Sequence, residues 1–222
     1  TPNGHKVHIM LEECGVPYAV HAVDIGAGDQ FEPAFLAISP NNRIPAIVDA
    51  DGPDGEPISM FETGAILVYL AGKTGRFLPA STRGKYKALE WLMWQAGGVG
   101  PMLGQAHHFR NDAVDKIPYA IDRYTREAGR LHGVLDRQLA RSAFVAGEDY
   151  GIADMAIYPW TRSWKNQGAA LARFPNVDRW FDTIDARPAV QRALTVLADR
   201  RRPLIDDTAR ANLFGDRQYA QR

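Results

Sequence analysis

The sequence predicts a small α+β domain followed by an all-helical domain, and two patterns support this prediction. Helix-like and strand-like patterns alternate along the first part of the chain, up to about residue 77. Beyond residue 82, apolar residues recur at three- and four-residue steps over 89–103 and 121–139, which is typical of long amphipathic helices. We therefore predict domains over residues 1–77 and 82–200, and a charged C-terminal tail over 201–222.

The first domain is predicted to run helix, strand, helix, strand, strand, helix, which is an α+β order. Gly15 follows a stretch of helical apolar spacing and is a typical helix stop. Tyr18, Val20 and Ala22 alternate as in a strand. Residues 51–57 hold two Gly, two Pro and two Asp, so the strands over 44–49 and 58–61 should form a hairpin. A short helix is predicted over 31–38 and a longer one over 65–75.

In the second domain, three glycines and Pro101 interrupt the first long helical pattern over residues 97–101, and they should bend that helix. Further helices are predicted over 152–167, 177–186 and 189–198. The tail from about residue 200 has no regular apolar period, so we expect it to wrap over the surface or to fray.

Composition excludes several classes of function. Lys+Arg and Asp+Glu both number 26, which argues against a broad nucleic-acid or acidic-membrane surface. No stretch has the length and apolarity of a membrane span. The single cysteine, Cys14, excludes an internal disulfide and a Cys/His metal cluster, and we expect a reducing cytoplasm.

Five segments of the chain are distinctive: SPNNRIPA at 39–46, FETGAI at 61–66, GEDYGIAD at 147–154, TPNGHK at 1–6 and GPMLGQ at 100–105. Their order and spacing resemble the soluble glutathione transferases, and the resemblance covers about residues 1–198. The last two segments resemble the bacterial Nu class in particular. That class is related to the yeast nitrogen-regulator prion domain and is known for glutathione-dependent disulfide reduction.

The resemblance implies a thioredoxin-like first domain and an all-helical bundle. It also implies a β-strand ahead of the turn at Thr1, so we expect further residues to precede Thr1. Gly151 stands where the family usually has Ser or Thr as a helix cap. This replacement should cost only about 0.3 kcal/mol, so the helix should form.

The resemblance further implies a site for glutathione. The Ile44–Pro45 bond should be cis, so that the Ile44 backbone pairs with the cysteinyl unit; a trans proline opening a strand is the alternative. Glu62 and Thr63 lie between a strand and a helix and should hold the γ-glutamyl ammonium and carboxylate; simple capping of the helix by Thr63 is the alternative, and it is compatible with ligand binding. The other binding residues expected are Gln30, Asn42, Arg43 and Arg123, with a solvated loop glutamine as the alternative for Gln30.

The thiol of glutathione is the expected nucleophile. A cysteine thiol has a pKa of about 8.5, and the thiolate is the reactive form. Thr1 and Asn3 can donate hydrogen bonds to a thiolate but cannot act as bases, so they are the predicted catalytic residues. The alternative is that both only cap the first helix.

Cys14 lies on the apolar face of its helix and is predicted to pack rather than to react. Any disulfide exchange should then use the sulfur of glutathione. The predicted lining of a second-substrate pocket is His107, His108, Trp160 and Trp164, although aromatic residues at helical spacing more often pack in a core. No carboxylate or cysteine pattern completes a metal site around the two histidines.

The leading hypothesis is an enzyme that uses bound glutathione to reduce disulfides or to conjugate small electrophiles. We favour disulfide reduction, because the Thr-Pro-Asn turn replaces the Tyr or Ser of conjugating classes. A non-catalytic interaction module and a glutathione-dependent lyase or dehalogenase are the alternatives. A homodimer is expected from the family, and neither a nucleic acid nor a membrane is an expected partner.

Overall fold

The computed structural model of the protein describes residues 1–200 and 206–220, and within these ranges the chain forms ten α-helices and two β-strands. The remaining residues of the predicted tail, 201–205 and 221–222, lie outside the described part. In chain order the elements are α1 (Pro2–Cys14), α2 (Pro33–Leu36), β1 (Ile47–Asp49), β2 (Ile58–Met60), α3 (Thr63–Thr74), α4 (Thr82–Trp94), α5 (Gly100–His107), α6 (Pro118–Leu139), α7 (Ile152–Thr161), α8 (Pro175–Asp185), α9 (Pro188–Thr195) and α10 (Asp207–Phe214).

A two-stranded antiparallel sheet confirms the predicted hairpin. Ile47 pairs with Met60 and Asp49 pairs with Ile58. The connecting turn contains Asp54 and Gly55, both with positive φ.

The strand predicted from the alternation of Tyr18, Val20 and Ala22 is wrong, since the sheet of the described residues contains only β1 and β2. Backbone groups of 17–23 bond to no other backbone group in the described ranges. Residues 19–22 are exposed. A strand needs both a hydrogen-bonded neighbour and a buried face, and alternation of residue types supplies neither.

Helix α1 packs against both halves of the chain. It begins after Thr1 and ends at Gly15, whose φ of 68° confirms the predicted stop. Its buried face contacts α3 on one side and α7 and α9 on the other. Ile9 and Met10, on this face, are completely buried. The first helix is therefore part of one core shared by both halves.

Near the glycines at which a bend is predicted, the winding changes to a π-helical segment, Gln95–Val99, between α4 and α5. A π turn is wider than an α turn and commonly marks a functional position. A second π segment, His108–Asp112, follows α5.

The helix predicted over 152–167 is too long, because α7 ends at Thr161. The Gln167 side chain folds back and donates to the carbonyl oxygen of Trp160 at 2.8 Å, which satisfies one of the last helical acceptors. None of the helices in residues 1–200 and 206–220 combines the length and the apolarity needed to cross a membrane.

Asp154 organises the start of α7 from a completely buried position. Its carboxylate accepts hydrogen bonds from the backbone N–H groups of Val145 (2.9 Å) and Gly151 (3.0 Å) and from Trp180 Nε1 (2.8 Å). Burial raises the pKa of Asp154 to about 6, although these hydrogen bonds oppose the shift. Gly151 has no side chain to cap the helix, so Asp154 supplies the side-chain capping contact.

Replacing Asp154 with Ala should lower the free energy of unfolding by about 3 kcal/mol or more, because two buried donors and one part-buried donor lose their acceptor. Chemical denaturation of Asp154→Ala beside the exposed control Asp182→Ala measures this effect. Equal stability of the two variants would contradict the assigned role.

Candidate functional site

A cavity of about 360 Å³ lies where the amino ends of α1 and α3 meet α5, α7 and the loop before β1. Both halves of the chain contribute to its wall. The predicted site residues that line it are Asn3, Arg43, Ile44, Pro45, Glu62, Thr63 and Trp160. The structure therefore brings together seven predicted residues from four separate stretches of the chain.

The amino end of α1 is held by two hydrogen bonds. Thr1 Oγ1 accepts from the Gly4 N–H at 3.2 Å, so Thr1 caps the helix; it is not among the residues that line the cavity. Asn3 Oδ1 accepts from Trp160 Nε1 at 3.0 Å. Because an indole N–H can only donate, this contact fixes the Asn3 amide with its oxygen toward Trp160. The two N–H donors of the amide then face elsewhere.

The loop before β1 presents backbone to the cavity. The Ile44–Pro45 bond is cis, as the resemblance implied. Ser39 Oγ donates to the Arg43 carbonyl oxygen at 2.8 Å and braces the loop. Within the described residues, the N–H and C=O of Ile44 form no backbone hydrogen bond. An extended ligand can pair with them as an added strand does.

The start of α3 combines an unusual backbone with free helical donors. Glu62, the residue at the cap, has φ 68° and ψ 109°. Positive φ costs a non-glycine residue of order 1–3 kcal/mol and tends to occur at functional sites. The first N–H groups of a helix lack helical partners and attract anions. The Glu62 carboxylate and the α3 donors therefore offer one site for a cation beside one for an anion.

Lys6 and Gln95 form the part of the wall that the sequence did not reveal. Lys6 is only 2% exposed, and its Nζ donates to Gln95 Oε1 at 2.7 Å and to Thr63 Oγ1 at 3.3 Å. Burial lowers the pKa of Lys6 to about 7, and the nearby Glu62 carboxylate opposes this shift. The available signal was the position of Lys6 on the helix face between Asn3 and Met10, where an apolar residue is the norm.

Three predicted glutathione-binding residues lie outside this cavity wall. Gln30 is 1% exposed, and its Nε2 donates to the Ile25 carbonyl oxygen at 3.2 Å, so the solvated alternative is wrong. Asn42 accepts from Arg43 Nη1 at 2.7 Å, and its neighbour Asn41 lines the cavity instead. Arg123 is exposed and lines a separate groove on α6 together with Arg130.

Three residues of the predicted second-substrate pocket also lie elsewhere. His107 Nε2 is 3.8 Å from Asp112 Oδ1. The His108 ring lies 4.6 Å from that of Phe214. Trp164 stacks beneath the Lys165 ammonium group at 5.1 Å. Of that predicted pocket, only Trp160 lines the cavity.

The described part of the tail, residues 206–220, packs against the first half of the chain, and we call it the C-terminal strap. Asn212 Nδ2 donates to the Gly26 carbonyl oxygen at 2.6 Å. The Arg217 guanidinium lies 4.7 Å from the centre of the Phe31 ring. Gln218 Oε1 accepts from Arg43 Nη1 at 2.5 Å. The strap thus reaches a side chain that lines the cavity.

Among residues 1–200 and 206–220, no cluster of three His, Cys, Asp or Glu side chains is arranged to hold a metal ion. Cys14 is half-buried, and its Sγ lies 3.4 Å from Thr74 Oγ1. This contact places the thiol between α1 and α3 and outside the cavity wall.

Comparison with known proteins gives consistent matches along most of the chain. Residues 2–73 match the glutathione S-transferase N-terminal domain, and residues 116–188 match the glutathione S-transferase C-terminal domain. The disulfide-bond oxidoreductase YfcG of Escherichia coli is 54% identical over 197 residues, which cover 87% of this chain and 91% of that protein.

Two solved structures share the fold. A glutathione transferase from Burkholderia graminis with two glutathione molecules bound per subunit has a TM-score of 0.85 and 46% identity, over 87% of this chain and 84% of that one. A glutathione transferase from Pseudomonas putida with one glutathione disulfide bound per subunit has a TM-score of 0.85 and 44% identity, over 88% of each chain.

Replacing Asn212 with Ala should loosen the C-terminal strap, because the buried amide bonds to Gly26 and Arg217 are lost. Losing such bonds should speed amide hydrogen exchange in 206–218 by about fivefold or more. The control is Tyr219→Ala, whose side chain is 79% exposed. Unchanged exchange in Asn212→Ala would show that these bonds do not hold the strap.

Proposed function

Because this chain belongs to the glutathione S-transferase family, we propose that it binds glutathione in the cavity and reduces disulfides with the glutathione thiolate. One observation carries the proposal. The cavity joins the amino ends of two helices to an open backbone pair at Ile44, which are the groups that a peptide with an anionic carboxylate and a thiolate requires.

The γ-glutamyl end fits the start of α3. The Thr63 hydroxyl and the first N–H groups of α3 can donate to its carboxylate, and the Glu62 carboxylate can accept from its ammonium group. The cysteinyl backbone would pair with Ile44, next to the cis Pro45. At the glycyl end, Arg43 lines the cavity and can pair with the second carboxylate.

The thiol would then lie at the amino end of α1. The Asn3 amide, held by Trp160, presents its N–H donors, and the Thr1 hydroxyl can donate from the cap position. The positive end of the helix adds to their effect. Together these groups favour the thiolate over the thiol and lower the thiol pKa.

The thiolate would attack one sulfur of a disulfide substrate. This step forms a mixed disulfide with the bound glutathione and releases the other sulfur as a thiolate, which takes up a proton. A second glutathione thiolate then attacks the glutathione sulfur of the mixed disulfide. The products are two substrate thiols and glutathione disulfide, so two glutathione molecules supply the two electrons.

The pairing of subunits and the compartment are also part of the proposal. Tyr86 and Met93 stand two turns apart on α4 and are 66% and 59% exposed, which supports a homodimer through this face.

Gln30, Asn42 and Arg123 stay predictions for the glutathione site, and so does a role for His107, His108 and Trp164 toward the second substrate. We place the activity in the cytoplasm, in keeping with the single cysteine.

Asn3→Ala should lower kcat/KM for glutathione-dependent reduction of hydroxyethyl disulfide by about 10- to 100-fold, the effect of losing a hydrogen bond to a charged group. Asn3→Asp should lower it at least as far. The aspartate keeps an oxygen for the Trp160 N–H but places a negative charge beside the thiolate. Thr1→Ala should lower kcat/KM in the same direction.

Calorimetry with reduced and oxidised glutathione provides the control for these variants, which should still bind. Conjugation of chlorodinitrobenzene, assayed in parallel, should be the weaker activity of the wild type. Absence of glutathione binding by the wild type would refute the proposal. Binding without either activity would favour a non-catalytic module.

Cys14→Ser should keep both glutathione binding and disulfide reduction close to wild-type values, since the Cys14 thiol packs against Thr74 outside the cavity. The same assay measures this outcome. A loss of about tenfold or more with unchanged stability would require a protein cysteine in the mechanism and would contradict the assignment of the nucleophile.

A further inference from the structure

Lys6 is an ionisable residue that is almost completely withdrawn from water. The side chain is 2% exposed and lies on α1, one turn after Asn3. Its two hydrogen-bond partners, Gln95 and Thr63, are both neutral. Among the described residues Lys6 forms no ion pair, and the Glu62 carboxylate acts on it only from beyond contact distance.

Keeping the buried Lys6 ammonium group charged costs free energy unless an anion pairs with it. A buried charge is normally paired, because transfer from water to a protein interior strongly disfavours the charged form. The lowered pKa of Lys6, about 7, is the direct consequence. An anion placed in the cavity would restore the missing pairing.

The hydrogen bonds of Lys6 indicate where that anion would lie. An ammonium group has three N–H donors, and Gln95 and Thr63 take two of them. Lys6 lines the cavity, so the third donor can serve a ligand. Thr63 Oγ1 accepts from Nζ, which directs the Thr63 hydroxyl hydrogen toward a further acceptor. Lys6 and Thr63 can thus both donate to one anion placed at the start of α3.

We propose that the Lys6 ammonium group binds the γ-glutamyl carboxylate of glutathione together with Thr63, and that the ligand captures a proton on Lys6 as it binds. The inference deepens the proposed function and rests on it. Gln95 acts as a positioning residue, because its side-chain oxygen fixes Nζ beside Thr63.

Proton capture gives binding a definite pH dependence. In the empty cavity the pKa of Lys6 is about 7, and a bound carboxylate raises it. As pH rises through the neutral range, the free protein loses this proton while the complex keeps it. Affinity should therefore fall with rising pH, and binding should take up a fraction of one proton.

The contribution of other ionisable groups near Lys6 can be distinguished from that of Lys6 itself. Glu62 on α3 and Arg43 in the loop before β1 also line the cavity, whereas Gln95 and Trp160 on the remaining walls are neutral. On α1, His5 is the adjacent titratable residue. The Lys6 variants leave Glu62, Arg43 and His5 in place, so any proton uptake by these groups is common to the wild type and the variants.

The experiment uses S-methylglutathione, which has no ionisable thiol, and titrates it calorimetrically between about pH 6 and 8, in the neutral range where Lys6 changes charge. Wild type, Lys6→Met and Lys6→Gln are compared with Lys85→Met, which makes the same change at an exposed position on α4. Repeating each titration in buffers of different ionisation enthalpy counts the protons taken up. Circular dichroism checks the fold of each variant.

In the wild type and Lys85→Met, affinity should fall as pH rises, with net proton uptake at neutral pH. In Lys6→Met and Lys6→Gln, affinity at the acidic end of the pH range should drop by about tenfold or more. The part of the proton uptake that is due to Lys6 should be absent from both variants. The ligand's own ammonium group contributes equally to all four proteins. Lys6→Gln keeps a polar side chain beside Thr63 and guards against misfolding of the Met variant.

Two results would overturn the inference, and they are distinguishable. Wild-type binding without proton uptake, and with affinity unchanged in both Lys6 variants, removes the role of Lys6 but leaves the proposed function intact. No binding of S-methylglutathione by the wild type at any pH removes both.

Discussion

The burial of one face of α1 against both halves of the chain is the constraint on which the cavity depends. Ile9 and Met10 of α1 are completely buried, and α1 contacts α3, α7 and α9. Burial of each such side chain contributes about 1.5–3 kcal/mol. Paired hydrogen bonds from Arg187 to Glu13, at 2.6 and 2.9 Å, tie the same helix to α9. Because α1 cannot shift without opening this core, its amino end holds Asn3 and Lys6 in place.

Charged groups and helix ends in the wall determine which ligand the cavity suits. The amino ends of α1 and α3 both meet there, and Lys6 stands beside Thr63, where a bound anion would favour its protonated form. Glu62 is the one carboxylate in the part of the wall that the described residues form. The wall is thus suited to an anionic ligand that also carries one ammonium group. The strained Glu62 backbone and the exposed polar surface of the cavity are the local costs of this arrangement.

The sequence predicted the features that depend on neighbouring residues and missed those that depend on distant ones. Gly15 and the turn between β1 and β2 follow from local chemistry, and the motif around Pro45 identified the cis bond. The Lys6–Gln95 contact joins positions 89 apart, and the Asn212–Gly26 contact joins positions 186 apart, so no local pattern contains them. The strand predicted near Val20 failed for the same reason, since pairing is a property of two segments. The division at residue 77 stays a prediction, because α1 packs with both halves.

A cavity that binds glutathione and favours its thiolate must lower the pKa of the bound thiol. A titration of the glutathione complex, followed through the ultraviolet absorbance of the thiolate, measures this pKa. We expect a value about 1 to 2 units below the ordinary thiol pKa of about 8.5, and a return toward that value when the Asn3 donors are removed. A bound thiol that titrates at or above the ordinary value would show that the cavity does not stabilise the thiolate.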